Sequence, residues 1–336
     1  MSIDSGVSLG TDAADNAVVT LVVAGFDVAP YARESLESVR AQTLTAWRAI
    51  LIDDASTDAT ADIFAEAAAA DSRFVLADRG PHRGLGAVRN AGLARVRTPF
   101  VGFLDADDIL TPDALARLVG TRVRREGGVG AGVSVRWRPA DPDGSSYTVG
   151  TVQPWVAAST APARSATTIE DHPEASGNIV AWSKVSRTDF WRRTGMRFPE
   201  GRLYEDQVVA QAMYTRARAF DVIPDVVVHW RVRPDGSSIT QREAELPVLR
   251  DALDAMGAGL GLLREAGATR AVQARVALIL AMDVPRLAAI AREHPDDSYR
   301  RALGEFTRDV WDAADDATRA TLDTDTATTV AAVSLW

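Results

Sequence analysis

Short apolar runs alternate with segments of helical periodicity from residue 18 onward, and this alternation allows few architectures. Residues 18–24, 49–52 and 100–104 are apolar and short enough to be strands. Ala32, Leu36 and Val39 lie between the first two runs at the spacing of one helix face. Strands that alternate with helices are typical of an α/β fold with a mostly parallel sheet, which we therefore predict.

The composition of the 336 residues predicts a folded, soluble protein and excludes several kinds of site. Apolar residues make up 46% and charged residues 25% of the chain, as in ordinary globular domains. The chain has no cysteine, which excludes thiol nucleophiles, cysteine-based metal sites and disulfides. Lys184 is the only lysine and lies outside any phosphate-loop motif, so P-loop nucleotide hydrolases are excluded. A net charge of −9 argues against a nucleic-acid partner.

The segmentation of the chain predicts an α/β domain followed by a helical region. We predict a flexible N-terminus at residues 1–17 and an α/β domain at 18–240, with halves at 18–125 and 126–240. Residues 241–336 have helical spacing throughout, so a C-terminal helical region is predicted there. No apolar stretch reaches the roughly 18 residues of a membrane-spanning helix, so no membrane span is predicted.

Acidic residues directly follow two of the predicted strands. Asp53 and Asp54 end the second run, and Asp105 and Asp107 end the run at 100–104. Ligands of open α/β sheets bind at the carboxyl ends of strands, so both clusters are placed at one edge. Two carboxylates at positions i and i+2 suit a hard divalent cation that is held together with substrate phosphate oxygens. The alternative is that these aspartates cap the next helix or lie in a solvated turn.

Two arginines and a histidine near these clusters are further candidates. Arg83 lies in the glycine-rich loop 80–86 and Arg89 in the helix that follows. There, both could bind a diphosphate together with the N–H groups of the helix start. His229 ends an apolar run and is a candidate third metal ligand. Solvated positions for the arginines and a hydrogen-bonded structural role for the histidine are the alternatives.

Glu205 and Asp206 open a predicted helix in the second half of the α/β domain. A carboxylate at the mouth of a site can act as general base toward an acceptor hydroxyl. Acidic residues at a helix start are also common because they compensate the helix dipole. The residues alone leave both interpretations open.

Taken together, these segments strongly resemble family 2 glycosyltransferases of the GT-A fold, over roughly residues 18–240. The matching segments are Val22-Val23-Ala24-Gly25-Phe26, Ser35-Leu36-Glu37-Ser38-Val39 with Gln42-Thr43, Asp53-Asp54-Ala55-Ser56-Thr57-Asp58, Gly86-Ala87-Val88-Arg89-Asn90-Ala91-Gly92, Phe103-Leu104-Asp105-Ala106-Asp107-Asp108 and Tyr204-Glu205-Asp206. The chain is similar to bacterial members that build wall or capsule polymers.

The resemblance implies transfer of a sugar from a nucleotide diphosphate donor to an acceptor hydroxyl, with inversion and with Mg²⁺ or Mn²⁺. It implies that Ala24, Phe26 and Asp54 hold the base and ribose. It also implies that Asp105 and Asp107 meet the metal and the diphosphate. The first strand ends in Ala24-Gly25-Phe26-Asp27 instead of the family's Pro-x-Tyr-Asn-like turn, so the mode of base stacking is left open.

On the acceptor side, the resemblance implies that Asp206 is the catalytic base, with Glu205 beside it. The segment 229–240 is similar to one that could close over the diphosphate as a lid, with Arg231 and Arg233 as its contacts; a plain loop is the alternative. The Gln-x-x-Arg-Trp motif of processive members is missing after Asp206, so single additions are expected.

Several questions stay open at this point. A nucleotidyltransferase on a similar scaffold and a non-catalytic nucleotide-sugar or glycan-binding module are the competing classes. UDP is expected as the donor nucleotide on family frequency alone, and a cell-surface glycan or polyol-phosphate polymer as the acceptor. A cytoplasmic protein, free or at the inner face of the membrane, is expected. For residues 241–336, oligomerisation, acceptor docking and simple packing are all considered.

Overall fold

The computed structural model describes residues 16–77, 80–120 and 128–336. Most of the predicted flexible N-terminus therefore lies outside the described residues. The predicted division between residues 125 and 126 lies outside them as well.

Within the described residues, ten strands form one sheet in the order β3-β2-β1-β4-β9-β6-β10-β5, with β7 beside β6 and β8 beside β10. Strands β1 to β4 pair in parallel, and β10 is parallel to β6. Strand β9 runs antiparallel to both of its neighbours, β4 and β6. The strands are β1 Val19–Gly25, β2 Trp47–Asp53, β3 Phe74–Leu76, β4 Phe100–Asp105, β5 Ile109–Leu110, β6 Val129–Pro139, β7 Tyr147–Val149, β8 Arg164–Thr167, β9 Lys184–Arg187 and β10 Phe220–Arg231.

Helices flank this sheet and make up the C-terminal region of the described chain. They are α1 Ala29–Arg40, α2 Thr60–Ala70, α3 Leu85–Arg95, α4 Ala114–Gly120, α5 Pro154–Thr160, α6 Thr188–Thr194, α7 Glu205–Arg216, α8 Leu246–Glu265, α9 Thr269–Leu278, α10 Val284–Glu293, α11 Asp297–Ala313, α12 Asp316–Ala320 and α13 Thr324–Val333. The predicted α/β class, with a mostly parallel sheet and C-terminal helices, is confirmed.

The first strand and helix follow directly from the sequence pattern. All seven residues of β1 are buried, as expected for a central parallel strand with both faces covered. In α1, the buried residues include Ala32, Leu36 and Val39, so the predicted inner face is confirmed. These helix residues pack with β1 and β2 in one apolar cluster on one face of the sheet.

The start of α2 is not capped by its own N-cap residue, which is Ala59 and makes no side-chain bond. Asp58 acts from one position earlier: its Oδ1 accepts from the N–H of Thr60 at 2.9 Å and its Oδ2 accepts from the N–H of Ala29 at 2.9 Å. Asp58 therefore ties the starts of α1 and α2 together.

The C-terminal helices pack on the sheet and share its core. One apolar cluster contains Val22 of β1, Phe103 of β4, Met213 of α7, Leu249 of α8 and Leu303 of α11. Burial of side chains of this size contributes about 1.5–3 kcal/mol each. The helical region is thus held to the α/β part by its core, although the boundary near residue 240 stays a prediction.

Candidate active site

The carboxyl ends of β1, β2 and β4 meet at one edge of the sheet. Gly25 of β1 is the register partner of Asp53 of β2, and Ala24 is the partner of Asp105 of β4. The carbonyl of Ala24 accepts a hydrogen bond from the N–H of Ala106 at 2.8 Å, which fixes the turn after β4. The acidic clusters that follow β2 and β4 therefore lie at one edge, as predicted.

Asp54 fixes the shape of the glycine-rich loop. It is 5% exposed, and its two carboxylate oxygens accept from the N–H groups of Arg83 at 2.9 Å and Gly84 at 2.8 Å. Gly84 has a φ of +81°, in the region that favours glycine. Both oxygens are therefore bonded to this loop. A contact of Asp54 with a base or ribose stays a prediction.

Phe26 and His82 form an aromatic pair beside this loop. Phe26 follows β1, is 42% exposed, and its ring centroid lies 4.4 Å from that of His82. Exposed aromatic rings can stack on a nucleobase, which would suit the predicted contact of Phe26 with the base. His82 was not predicted as a site residue, because the sequence does not show that its loop returns over the end of β1. Arg83 is exposed on the same loop and stays a diphosphate candidate.

Arg89 joins the carboxyl edge of the sheet to the start of α7. Its side chain is 2% exposed, and it donates from Nη2 to Oδ1 of Asp105 at 2.7 Å and from Nη1 to Oε1 of Glu205 at 2.6 Å. The guanidinium also lies 5.4 Å from the ring centroid of Phe198. The observed partners of Arg89 are thus two carboxylates and a ring. Its predicted contact with a diphosphate is untested, and the carboxylate bridge is the contact that the sequence did not predict.

Burial raises the pKa values of the carboxyl groups around Arg89. It is the largest cause of the raised pKa of Asp105 and Asp206, and it raises the pKa of Glu205 to about 7. The charge of Arg89 opposes the rise in all three groups. Burial lowers the pKa of Arg89, but the carboxylates outweigh it and the net shift is upward. Arg89 is therefore a permanent cation that favours the ionised forms of these acids.

Asp107 is paired with the segment that follows β10. Arg233 donates from Nε to Oδ2 of Asp107 at 2.8 Å and from Nη1 to the hydroxyl of Ser237 at 3.2 Å. Arg233 is mostly buried, yet Asp107 raises its pKa above the ordinary value because the ion pair outweighs desolvation. The predicted lid segment thus contacts one of the two predicted metal aspartates.

Arg231 is buried and forms hydrogen bonds to the turn that follows β4. It is 2% exposed, and its Nε donates to the carbonyl of Asp107 at 2.7 Å while its Nη2 donates to Glu34 at 2.7 Å. Its N–H donates to Oδ1 of the buried Asp108 at 2.9 Å, and its guanidinium lies 4.4 Å from the Trp137 ring centroid. The predicted role of Arg231 as a lid contact for the diphosphate stays a prediction. Its side chain is fixed in place by these contacts.

Asp105 and Asp107 fit a divalent cation, and His229 is not joined to them. Within the described residues, Asp105 makes its side-chain hydrogen bond through Oδ1 and Asp107 through Oδ2, which leaves one oxygen of each. His229 is the register partner of Ile109, its ring lies 5.9 Å from that of Trp137, and burial lowers its pKa. In residues 16–77, 80–120 and 128–336, no three His, Asp or Glu side chains form a metal-binding group. Two carboxylates suit a cation whose other ligands are phosphate oxygens and water.

Lys184 is a buried basic residue whose pKa is affected by the charge of Asp206. Sequence reasoning did not place it in the site. It begins β9 and is 1% exposed. Its Nζ donates to the carbonyl of Asn178 at 2.8 Å, to Oδ1 of Asn178 at 2.6 Å and to the carbonyl of Val180 at 2.5 Å. Burial lowers its pKa to about 7, and the charge of Asp206 opposes this shift. The one available signal was that Lys184 is the only lysine.

A mostly parallel sheet, acidic residues at its carboxyl edge and packed C-terminal helices together make up a GT-A architecture. Residues 20–147 match the family model for glycosyl transferase family 2. This part of the chain therefore matches the family 2 glycosyltransferase model, as the sequence motifs indicated.

Curated relatives match just under a third of the chain. The putative glycosyltransferase EpsH of Bacillus subtilis is 40% identical over 103 residues, which is 31% of this chain and 30% of that protein. The succinoglycan biosynthesis protein ExoO of Rhizobium meliloti is 36% identical over 101 residues, which is 30% of this chain and 28% of that protein. The matches thus span less than a third of the length of these relatives.

Solved structures share the fold over nearly the whole chain. S. aureus TarS in complex with UDP-GlcNAc has a TM-score of 0.73 and 17% identity, covering 94% of this chain and 87% of that chain. The mannosyltransferase PcManGT of Pyrobaculum calidifontis, in complex with GDP-Man and Mn²⁺, has a TM-score of 0.55 and 18% identity, covering 97% and 88%. At these identities, the similarity establishes the fold alone. Within the described residues, none of the helices is both long enough and apolar enough to cross a membrane.

Proposed function

We propose that the chain is a metal-dependent, inverting glycosyltransferase that moves a sugar from a nucleotide diphosphate donor to an acceptor hydroxyl. Its catalytic domain is placed at residues 18–240. The observation that carries the proposal is the buried guanidinium of Arg89, which contacts Asp105 at 2.7 Å and Glu205 at 2.6 Å. This bridge joins Asp105, which ends β4, to Glu205, the neighbour of the candidate base Asp206.

The donor lies along the carboxyl edge of the sheet. Phe26 and His82 stack on the base beside the loop that Asp54 shapes, and the exposed Arg83 meets the diphosphate. Asp105 and Asp107 would hold Mg²⁺ or Mn²⁺, which would supply positive charge beside the departing diphosphate. TarS and PcManGT were solved with UDP-GlcNAc and with GDP-Man and Mn²⁺, which supports a nucleotide-sugar donor and a divalent ion. UDP-sugars are the first donors to test.

Asp206 is the base that takes the proton from the acceptor hydroxyl. The hydroxyl attacks the anomeric carbon from the face opposite the diphosphate, so one displacement inverts the configuration. Arg89 and Lys184 both favour the ionised form of Asp206, which burial disfavours. Glu205 holds Arg89 in place through the 2.6 Å contact.

The acceptor is a hydroxyl of a cell-surface glycan or a polyol-phosphate polymer. The names of ExoO and of the putative teichuronic acid glycosyltransferase TuaG of Bacillus subtilis support polymer synthesis. A nucleotide-sugar donor places the reaction in the cytoplasm, free or at the inner face of the membrane.

A binding screen followed by product analysis tests this proposal. UDP-, GDP-, CDP- and dTDP-sugars are compared by thermal shift with and without Mn²⁺, because a ligand that binds the folded state raises the melting temperature. The donor that stabilises the protein is then incubated with candidate acceptors. Release of nucleoside diphosphate supports glycosyl transfer. Pyrophosphate release from a nucleoside triphosphate and a sugar phosphate would indicate a nucleotidyltransferase, and binding without turnover a non-catalytic module.

A further inference from the structure

The start of α7, which carries Glu205 and Asp206, is not fixed by its own capping residue. The N-cap is Tyr204, and its side chain makes no capping bond. Tyr204 also has a φ of +57°, a conformation that residues with a Cβ rarely adopt. Such a backbone persists only where surrounding structure holds it. The loop formed by residues 200–204, called the 200–204 loop below, therefore needs partners from elsewhere.

One set of partners comes from α3. Asn90 donates from Nδ2 to the carbonyl of Phe198 at 2.9 Å and to Oε1 of Glu200 at 2.8 Å, and it accepts from the N–H of Phe198 at 2.9 Å. A Cβ on Gly86 would lie 2.0 Å from the carbonyl oxygen of Pro199. Backbone contact with α3 thus fixes the beginning of the 200–204 loop.

A second set comes from the C-terminal helical region and fixes the end of the same loop. Asp251 of α8 accepts from the N–H of Leu203 at 3.0 Å through Oδ2 and from Nη1 of Arg202 at 2.9 Å through Oδ1. Its side chain is 18% exposed. These two bonds reach the residues immediately before Tyr204.

Glu243 completes this second set. Its Oε1 accepts from the hydroxyl of Tyr204 at 3.3 Å, and its other oxygen is paired with Arg286 of α10. Its carbonyl accepts from the hydroxyl of Tyr299 of α11 at 2.6 Å. Burial raises the pKa of Tyr204 to about 12, so its hydroxyl keeps the proton that it donates. Glu243 is thereby fixed by two helices of the C-terminal region.

We propose that Asp251 and Glu243 are positioning residues that hold the 200–204 loop and so place Asp206 against the acceptor. The C-terminal helical region then has a catalytic purpose, because two of its carboxylates hold the loop that leads into α7. This inference rests on the proposed function, in which Asp206 is the base. A displacement of about 1 Å at a reacting group costs roughly 100-fold in rate, so loosening this loop lowers turnover.

Asp254 provides the matched control. It lies on the same helix and contacts the same arginine, with 3.3 Å between its Oδ2 and Nη1 of Arg202. Its side chain is 68% exposed, and it makes no bond to the backbone of the 200–204 loop among the described residues. Positioning through the N–H of Leu203 predicts an effect at Asp251 and none at Asp254, whereas a general surface-charge effect predicts equal changes.

The experiment compares Asp251→Ala with Asp254→Ala in steady-state transfer assays on the full chain. For Asp251→Ala we expect kcat to fall about 10- to 100-fold, with the donor KM and the donor-induced thermal shift unchanged. Asp251→Asn, which keeps an acceptor oxygen, should recover part of the loss, and Asp254→Ala should match the unmodified chain. Equal kcat values for the two alanine variants would overturn the inference, as would a loss expressed only in KM.

Two further variants keep the test decisive. If Asp251→Ala does not fold, Tyr204→Phe removes only the hydroxyl that reaches Glu243, and a lower kcat at unchanged donor KM is expected. In the Asp206→Asn background, Asp251→Ala should cause no additional loss, because both changes act on the same group. A large additional loss contradicts positioning of the base. If Asp206→Asn alone leaves transfer unchanged, the base assignment fails instead, which separates the two proposals.

Discussion

The carboxyl edge of β1, β2 and β4 and the start of α7 are built in different ways. At the sheet edge, each polar residue directly follows the strand that carries it, and Asp54 bonds a loop only 29 and 30 positions away. At the start of α7, the fixing contacts come from 48 positions away at Asp251 and 116 at Arg89. The loop contacts of Asp54 thus join segments that are close in sequence, whereas the start of α7 is fixed only once distant parts of the chain have packed.

The two regions also differ in how their charges are compensated. Asp54 is satisfied by neutral N–H groups of the loop, whereas Glu205 and Asp105 share one guanidinium. Hydrogen bonds to a backbone persist as long as the local turn is intact. A shared buried cation instead makes both acids depend on one residue of another element, Arg89 of α3. Substitutions in one region can therefore show whether the other region depends on it.

The largest effect is expected at the candidate base. Asp206→Asn keeps the size of the side chain but removes the proton acceptor, so kcat should fall about 10²- to 10⁴-fold. The donor-induced thermal shift should persist, because the sheet edge does not depend on that proton. The exposed Asp309 of α11 offers a control, and Asp309→Asn should leave kcat unchanged. A wild-type rate for Asp206→Asn would contradict the base assignment.

A smaller effect, on stability, is expected at the bridge between the regions. Arg89→Met leaves the buried Glu205 and the partly exposed Asp105 without their cation, which should lower the free energy of unfolding by about 3–5 kcal/mol. Arg83→Met, at an exposed arginine of the preceding loop, should change it by less than about 0.5 kcal/mol. Denaturant titration measures both. Similar changes in the two variants would show that the regions are not joined through Arg89.

The smallest effect is a pH dependence at Lys184. Burial lowers its pKa to about 7 from 10.5, so between these values the unfolded chain binds a proton that the folded chain has released. Folding stability, relative to Lys184→Met, should therefore rise with pH across this window, by about 2–3 kcal/mol between pH 8 and 10. Below pH 7 the difference in the free energy of unfolding between the unmodified chain and Lys184→Met should become constant.

Denaturant titrations of both proteins over pH 6–10 measure this dependence. Because the chain has one lysine, selective ¹³C labelling at lysine Cε gives one side-chain signal whose titration midpoint should lie near 7. Parallel curves of unfolding free energy against pH for the two proteins would contradict a lowered pKa for Lys184. A titration midpoint near 10.5 would contradict it as well.

Most of the strands and helices that form the sheet edge could be predicted from the sequence. Strand β1 was expected at 18–24 and lies at 19–25, and the inner face of α1 was identified from Ala32, Leu36 and Val39. Apolar periodicity records which face of an element is buried, so this information is local. The contacts of Arg231 could not be predicted in this way, because its partners Asp107, Glu34 and Trp137 lie in other parts of the chain.

The sequence by itself determined the α/β class, the order of the elements and the edge at which Asp54, Asp105 and Asp107 collect. Only the tertiary structure decided that Arg89 bridges Asp105 to Glu205 and that α8 supplies the bonds before Tyr204. The physical reason is the distance along the chain over which each effect acts. Periodicity and turn chemistry act over a few residues, whereas the partner of a buried charge is chosen by packing between elements that are distant in the chain.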